Sequence, residues 1–397
     1  MKPRGDGGAA DGKKCRRSWG AAPALLLPAA SHAPAAGNRA AKGGTGGRSG
    51  TPHRRAADPP GPSTKAEHPW PTAPCGPAPT CPYPHPVTLA PLLADLTAKA
   101  RAAAHARSSS CPCGAATLED RPDGIVVRHA DIVAKAHPPE SDPTELTSRL
   151  TVATRNPEIL LPPLAPTPAD LHGRLVTFWP YGTPVDPDDP DAAPWEAAAA
   201  LLARLHRTPA PDTLPTMRGP AKAARAIAKL RNAGPHPAAA SVLRAWDTLP
   251  AWARAEAPMP RTRTLCHGDL HLGQLIRHPA PEGPWLLIDV DDLGVGVPAW
   301  DLARPAAWYA CGLLLPEEWA RFLAAYREAG GPAVPADGDP WPALDVPARA
   351  LTAQTAARAV AKAAAAGRDL DEVEQSVVDA CDRMATLPPQ LAQEHAK

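Results

Sequence analysis

Phenylalanine, tyrosine and methionine are nearly missing: a chain of 397 residues holds 2, 4 and 4 of them, so aromatic packing falls to its 11 tryptophans. No stretch reaches the roughly 18–20 apolar residues that cross a membrane, which excludes a spanning helix. The eight cysteines (Cys15, Cys75, Cys81, Cys111, Cys113, Cys266, Cys311 and Cys381) include no C-x-x-C pair. Scattered over so long a chain, they exclude a disulfide scaffold and read as ordinary thiols of a reducing cytosol. Cys111-Pro-Cys113 has the spacing of half a metal or redox site, but no second pair lies at ligand spacing.

Nor is there an excess of either charge, the net being +1. Met1 to Ala66 carries 12 Lys and Arg against 3 Asp, leaving 30 against 38 for the rest. Basic character therefore belongs to the N-terminal stretch, where it offers salt-sensitive attraction and implies no specific nucleic-acid partner.

What is abundant is alanine and proline, 54 of the latter. From Met1 to Pro86 the chain is Gly, Ala, Pro, Ser, Arg and Lys without apolar periodicity, and it reads as a disordered leader, 1–86. Lys13-Lys14 and Arg16-Arg17 before Trp19 to Ala30 have the charged front and apolar core of a signal peptide. Pro23 and Pro28 interrupt that core, and the expected location is the cytoplasm.

Beyond the leader, Leu89, Leu92, Leu93 and Leu96 predict a helix over Val87 to Arg107. Gly124 to His137 predicts two strands joined at His129-Ala130-Asp131, with Lys135 inside the second. A strand lysine is ordinarily an edge residue with its head in water. Asp142-Pro143-Thr144-Glu145 opens a helix as a capping box, although Glu145 has Lys135 as an alternative partner. Leu175 to Trp179 is a further strand. Helices are expected over Trp195 to Arg207, Lys222 to Arg231, Ala240 to Arg254, Pro316 to Gly330, Val346 to Gly367 and Asp371 to Thr386. Strands first and long helices afterwards predict an α+β architecture.

Polar groups concentrate between Leu265 and Arg304, where His267, Asp269, His271, Asp289, Asp291 and Asp292 stand in LCHGDLHLGQLIRHPAPEGPWLLIDVDDLGVGVPAWDLAR. Gln274 to His278 and Trp285 to Ile288 flank a Pro/Gly turn and predict a hairpin. A turn centred between Ala280 and Gly283 sets Asp289 opposite Gln274, near the loop that holds Asp269. Any one of these residues alone reads as a loop cap or a solvated carboxylate.

The run HGDLHLGQ, then LLIDVDD, then GVPAWDLAR resembles the aminoglycoside phosphotransferase family of small-molecule kinases, with Gln274 where Asn is expected. The resemblance implies a two-lobed protein-kinase-like fold: a β-rich nucleotide-binding lobe over 87–182 and a helical catalytic and acceptor-binding lobe over 183–397. It implies ATP and Mg²⁺ as cofactors, Asp269 as catalytic base, Lys135 as the cation on the nucleotide phosphates, and Asp289 with Gln274 as metal ligands. His267 and Asp301 take structural roles, and Asp291 and Asp292 are candidates to line a pocket for a cationic acceptor. The acceptor is a hydroxyl of a small molecule such as an aminoglycoside, amino-alcohol or sugar, with no membrane partner. One family element is missing: Ser108 to Pro122 holds only Gly114, so no G-x-G-x-x-G cradle is found there. Two rival readings stay open, a degenerate kinase fold that only binds, and a metal-dependent hydrolase using His267, Asp269 and His271.

Overall fold

Alternating burial marks the strands. The structure, a computed structural model, describes residues 89–105, 111–121 and 124–386, so the expected leader lies outside the described residues. Helix α1 (Leu89–Ala104) precedes strands β1 (Ala115–Arg121), β2 (Gly124–His129) and β3 (Ile132–Ala136). Buried and half-buried positions alternate along β2 and β3, as they do when one face of a sheet is covered. Helix α2 (Pro143–Arg155) starts where Asp142 accepts hydrogen bonds from Thr144 N and Glu145 N at 2.8 and 2.9 Å, with Pro143 in the first turn. Strands β4 (Ala169–Leu171) and β5 (Arg174–Pro180) complete a five-stranded antiparallel sheet of order β1-β2-β3-β5-β4.

Leu92, Leu96 and Ala100 of α1 pack on Ile125, Val127, Ala134, Ala136 and Val176. This is an i, i+4, i+8 stripe, and each fully buried leucine contributes about 1.5–3 kcal/mol. Because Ala134 and Ala136 face α1, the period of two turns Lys135 to the opposite face. That face looks toward the helical body.

The body begins with β6 (Thr183–Pro184), α3 (Trp195–Arg207), α4 (Gly219–Arg231) and α5 (Ala239–Asp247). Four short strands follow: β7 (Thr264–Cys266), then β8 (Leu275–Arg277), β9 (Trp285–Leu287) and β10 (Gly294–Gly296). Helices α6 (Ala303–Ala310), α7 (Pro316–Glu328), α8 (Trp341–Ala366) and α9 (Glu372–Ala385) close the described chain. The helix expected from Val346 starts earlier, at Trp341, and carries Pro347 inside it. Small residues Ala350, Ala353, Ala356 and Ala357 let α8 pass close to α4, α5, α6 and α9. Trp195 meets Trp308 and Phe322 edge to face, centroids 6.4 and 6.1 Å apart, so tryptophan does fill the space phenylalanine would usually take.

β6 joins the sheet to the body by pairing with β8, Thr183 opposite Arg277. Gly182 just before it has no room for a side chain, since a Cβ there would lie 2.7 Å from Arg277 O. No described helix is long and apolar enough to cross a membrane.

Candidate active site

The loop after β7 hangs from one buried carboxylate. Asp301, 1% exposed, accepts hydrogen bonds from His267 N at 2.6 Å and Gly268 N at 2.7 Å. His206 Nε2 donates to the same carboxylate at 3.0 Å, leaving its Nδ1 to accept from Tyr326 Oη at 2.7 Å. Tyr326 in turn accepts from Ala333 N at 3.0 Å. The His267 ring reaches across to β9, its Nε2 donating to Ile288 O at 2.8 Å. Gly268 has φ +87°, and a Cβ there would run into Asp292 O, so the turn needs glycine.

Held in this way, the loop presents Asp269 to two cations. Lys222 Nζ, from α4, donates to Asp269 Oδ2 at 2.5 Å and to Asp292 Oδ2 at 2.6 Å. Arg304 Nη2 donates to Asp269 Oδ1 at 2.7 Å, while its Nε holds Leu270 O at 3.0 Å. Burial alone would raise the Asp269 carboxyl, but Lys222 and Arg304 outweigh it and hold the group well below the usual carboxylate range. Burial pushes the His271 imidazole down to about 3, so the ring is neutral at physiological pH.

A second cluster lies between sheet and hairpin. Lys135 Nζ is 2.7 Å from Asp289 Oδ1 and 2.9 Å from Asp291 Oδ2. His137 Nδ1 is 3.1 Å from Asp291 Oδ1, and its Nε2 is 2.8 Å from Thr177 Oγ1. Burial opposes the Lys135 charge, but the two carboxylates more than offset it and raise its pKa above the usual lysine value. Asp289 and Asp291 are lowered against their own burial, chiefly by Lys135.

Lys135, Asp289 and Gln274 thus converge, with the Gln274 amide nitrogen 3.4 Å from Asp289 Oδ2. The route differs from the expected one. β8 and β9 pair Leu275 with Leu287, and Ile288 N donates to Gln274 O at 2.9 Å, so Ile288 stands opposite Gln274, one residue earlier than expected. Asp289 still reaches the site because it leaves the strand in the left-handed region, φ +64°, which aspartate tolerates better than most residues. Glu145 pairs with Arg149 at 3.1 Å, leaving Lys135 to the hairpin. Asp291 pairs with Lys135 and Asp292 with Lys222. The stretch Ser108 to Pro122, in which no glycine cradle was found, runs into β1 (Ala115–Arg121). His267 and His271 spend their ring nitrogens inside the loop, on Ile288 O, Gly273 N and the Gln274 amide, except for His267 Nδ1.

Lys222, Arg304 and His137 are the residues sequence reasoning missed. Lys222 looked like one more polar position of an amphipathic helix, and nothing local announces a partner 47 residues away. Arg304 stood at the end of the singled-out stretch, where its charge beside so many carboxylates was the available signal.

No curated protein matches the chain. Among solved structures it is similar to a choline/ethanolamine kinase family protein from Mesorhizobium loti, with 16% identity over 76% of this chain and 98% of that one, TM-score 0.47. It is similar to a macrolide 2′-phosphotransferase from Brachybacterium faecium, with 18% identity over 76% and 99%, TM-score 0.41. It is similar also to a choline kinase from Cryptosporidium parvum, with 12% identity over 71% and 91%, TM-score 0.47. The model of the phosphotransferase enzyme family, APH, matches residues 126–345, a span that takes in the sheet strand bearing Lys135, the Asp269 loop, the Asp289 hairpin and Arg304. The chain belongs to that phosphotransferase family.

Proposed function

We propose that the chain transfers the γ-phosphoryl group of ATP, with Mg²⁺, to a hydroxyl of a small molecule. In this reading 87–182 is the nucleotide-binding lobe and 183–397 the catalytic and acceptor lobe. The observation that carries it is the 2.7 Å pair between Lys135 and Asp289, groups 154 residues apart that a sheet and a hairpin bring together beside the Asp269 loop. Phosphoryl transfer asks little covalent work of a protein; it needs a positioned hydroxyl, a carboxylate near its proton, and fixed positive charge around the phosphate oxygens. Asp269 orients the hydroxyl and takes its proton, and the loose transition state lets a carboxylate of low basicity serve. Lys135 holds phosphate oxygens as a compact cation.

The donor chemistry suits magnesium. His271 Nδ1 accepts from Gly273 N at 3.1 Å, so the neutral ring carries its proton on Nε2. The Gln274 amide, 3.2 Å from that nitrogen, is therefore best turned with its oxygen inward, facing Asp289 Oδ2. Two oxygens facing one another form a hard donor pair of the kind Mg²⁺ takes. When bound, the metal would neutralise charge on the phosphate oxygens, with Asp289 and Gln274 as its protein ligands.

Calorimetry of ATP and ADP with the full chain, with and without Mg²⁺, tests this without a guess at the acceptor. Mg²⁺-dependent binding that weakens in Asp289→Ala is expected. Asp269→Asn is expected to keep nucleotide binding and lose about 10²–10⁴-fold in kcat. Absence of binding at millimolar nucleotide would sink the reading, and binding with no transfer to any hydroxyl acceptor would leave a nucleotide-binding module.

A further inference from the structure

The C-x-C pair that phosphoryl transfer leaves unused does not stand alone in the fold. Cys111 and Cys113 lie just ahead of β1, and two histidines from other elements come to them: His105, one residue past α1, and His129, the last residue of β2. One ligand atom from each of these four side chains falls within 4.8 Å of every other. Cys111 Sγ is 3.2 Å from His129 Nε2, and the two imidazoles meet edge to face with centroids 5.3 Å apart. His129 is 3% exposed. Its Nδ1 and His105 Nε2 are both buried without a hydrogen-bond partner, a costly state for a polar atom unless something takes it.

The geometry points to a closed Cys₂His₂ zinc site formed by His105, Cys111, Cys113 and His129. Zn–N bonds of about 2.0–2.1 Å and Zn–S bonds of about 2.3 Å place tetrahedral donors about 3.3–3.8 Å apart, so the cluster needs to contract by about 1.5 Å at most. On binding, each thiol releases its proton to solvent and the imidazoles coordinate neutral; two thiolates then balance the 2+ charge of the ion. A nitrogen–sulfur set selects zinc and rejects magnesium, which keeps to oxygen. The other such grouping among the described residues, His206, Cys266 and Asp301, is different, because the Asp301 oxygens already serve His267 N, Gly268 N and His206.

The position explains why a metal is useful. β1 is an edge strand with no buried residue, so its backbone ladder to β2 is nearly all that holds it. A metal joining the end of α1, the entry to β1 and the end of β2 staples that strand at the end of the hairpin away from its turn.

The full chain, purified under reducing conditions without chelator, is expected to carry one zinc per chain by plasma emission. Cobalt(II) added to the demetallated protein is expected to give thiolate-to-metal charge-transfer absorption and tetrahedral d–d bands. Cys113→Ser, at an exposed position, loses both signals, and His129→Gln does the same. Asp289→Ala keeps them, which separates this site from the oxygen pair of the catalytic cleft. Zinc-free wild-type protein without a cobalt–thiolate band, a Cys111–Cys113 disulfide in place of metal, or a band that survives in Cys113→Ser would overturn the assignment.

Discussion

Asp269 sits between Lys222 and Arg304, and that arrangement sets its proton affinity. Removing Lys222 leaves Asp269 and Asp292 facing each other with one cation fewer, so the Asp269 carboxyl becomes harder to ionise. The sign follows: a group held low by its partner titrates higher once the partner is gone. In Lys222→Met the acid limb of log kcat/KM is expected to move to higher pH, and stability to fall by about 3–5 kcal/mol from the uncompensated buried charge. A pH–rate profile and a denaturant titration read the two effects, and an unmoved acid limb would remove Lys222 from the site. That Lys135 and Asp289 stand together agrees with the family resemblance of IVAK and LLIDVDD, which are local patterns. Lys222 was not legible in this way, because its meaning comes entirely from where α4 lands.

At the scale of elements, the hairpin and the helix ends show what pattern reasoning reaches. Apolar runs around a Pro/Gly turn gave the β8–β9 hairpin, yet its register came out one residue away, since composition alone does not say which two turn residues face each other. The left-handed Asp289 that repairs the geometry has no sequence signature beyond aspartate's tolerance for that region. Capping is readable in part: Asp142 caps α2 as expected, but Glu145 turns to Arg149 and closes no box, whereas a box not read from the sequence stands at α9. Asp371 at the start of α9 accepts from Glu374 N at 2.8 Å, and Glu374 accepts from Asp371 N at 3.1 Å, a reciprocal box. The Arg368 guanidinium, donating to both Glu374 oxygens at 2.6 and 2.7 Å, holds that carboxyl below its usual value. A depressed carboxyl contributes stability that is present above its unfolded pKa of about 4.3 and lost as pH falls below it. Glu374→Gln is therefore expected to cost about 1–3 kcal/mol at pH 7. Thermal denaturation at pH 7 and pH 3 should show the wild-type advantage shrinking in acid; a constant gap would mean the ion pair carries none of it.

Over the whole molecule, the α+β division was readable because strands and helices segregate along the chain and their periods differ. Which face meets which was not readable, and the site is built from such meetings. Lys135 shows the consequence. It is paired with both Asp289 and Asp291, so under the proposed function nucleotide binding would be an exchange of partners. An anion that takes Lys135 strands two carboxylates; a cation that takes Asp289 strands part of a lysine's charge. Arriving together, they leave neither behind. The ion pair thus couples two ligands thermodynamically: Mg²⁺ should raise nucleotide affinity, and nucleotide should raise Mg²⁺ affinity by the same factor. In Lys135→Met that reciprocal factor is expected to collapse toward one, measured as the joint thermal shift minus the shifts from each ligand alone.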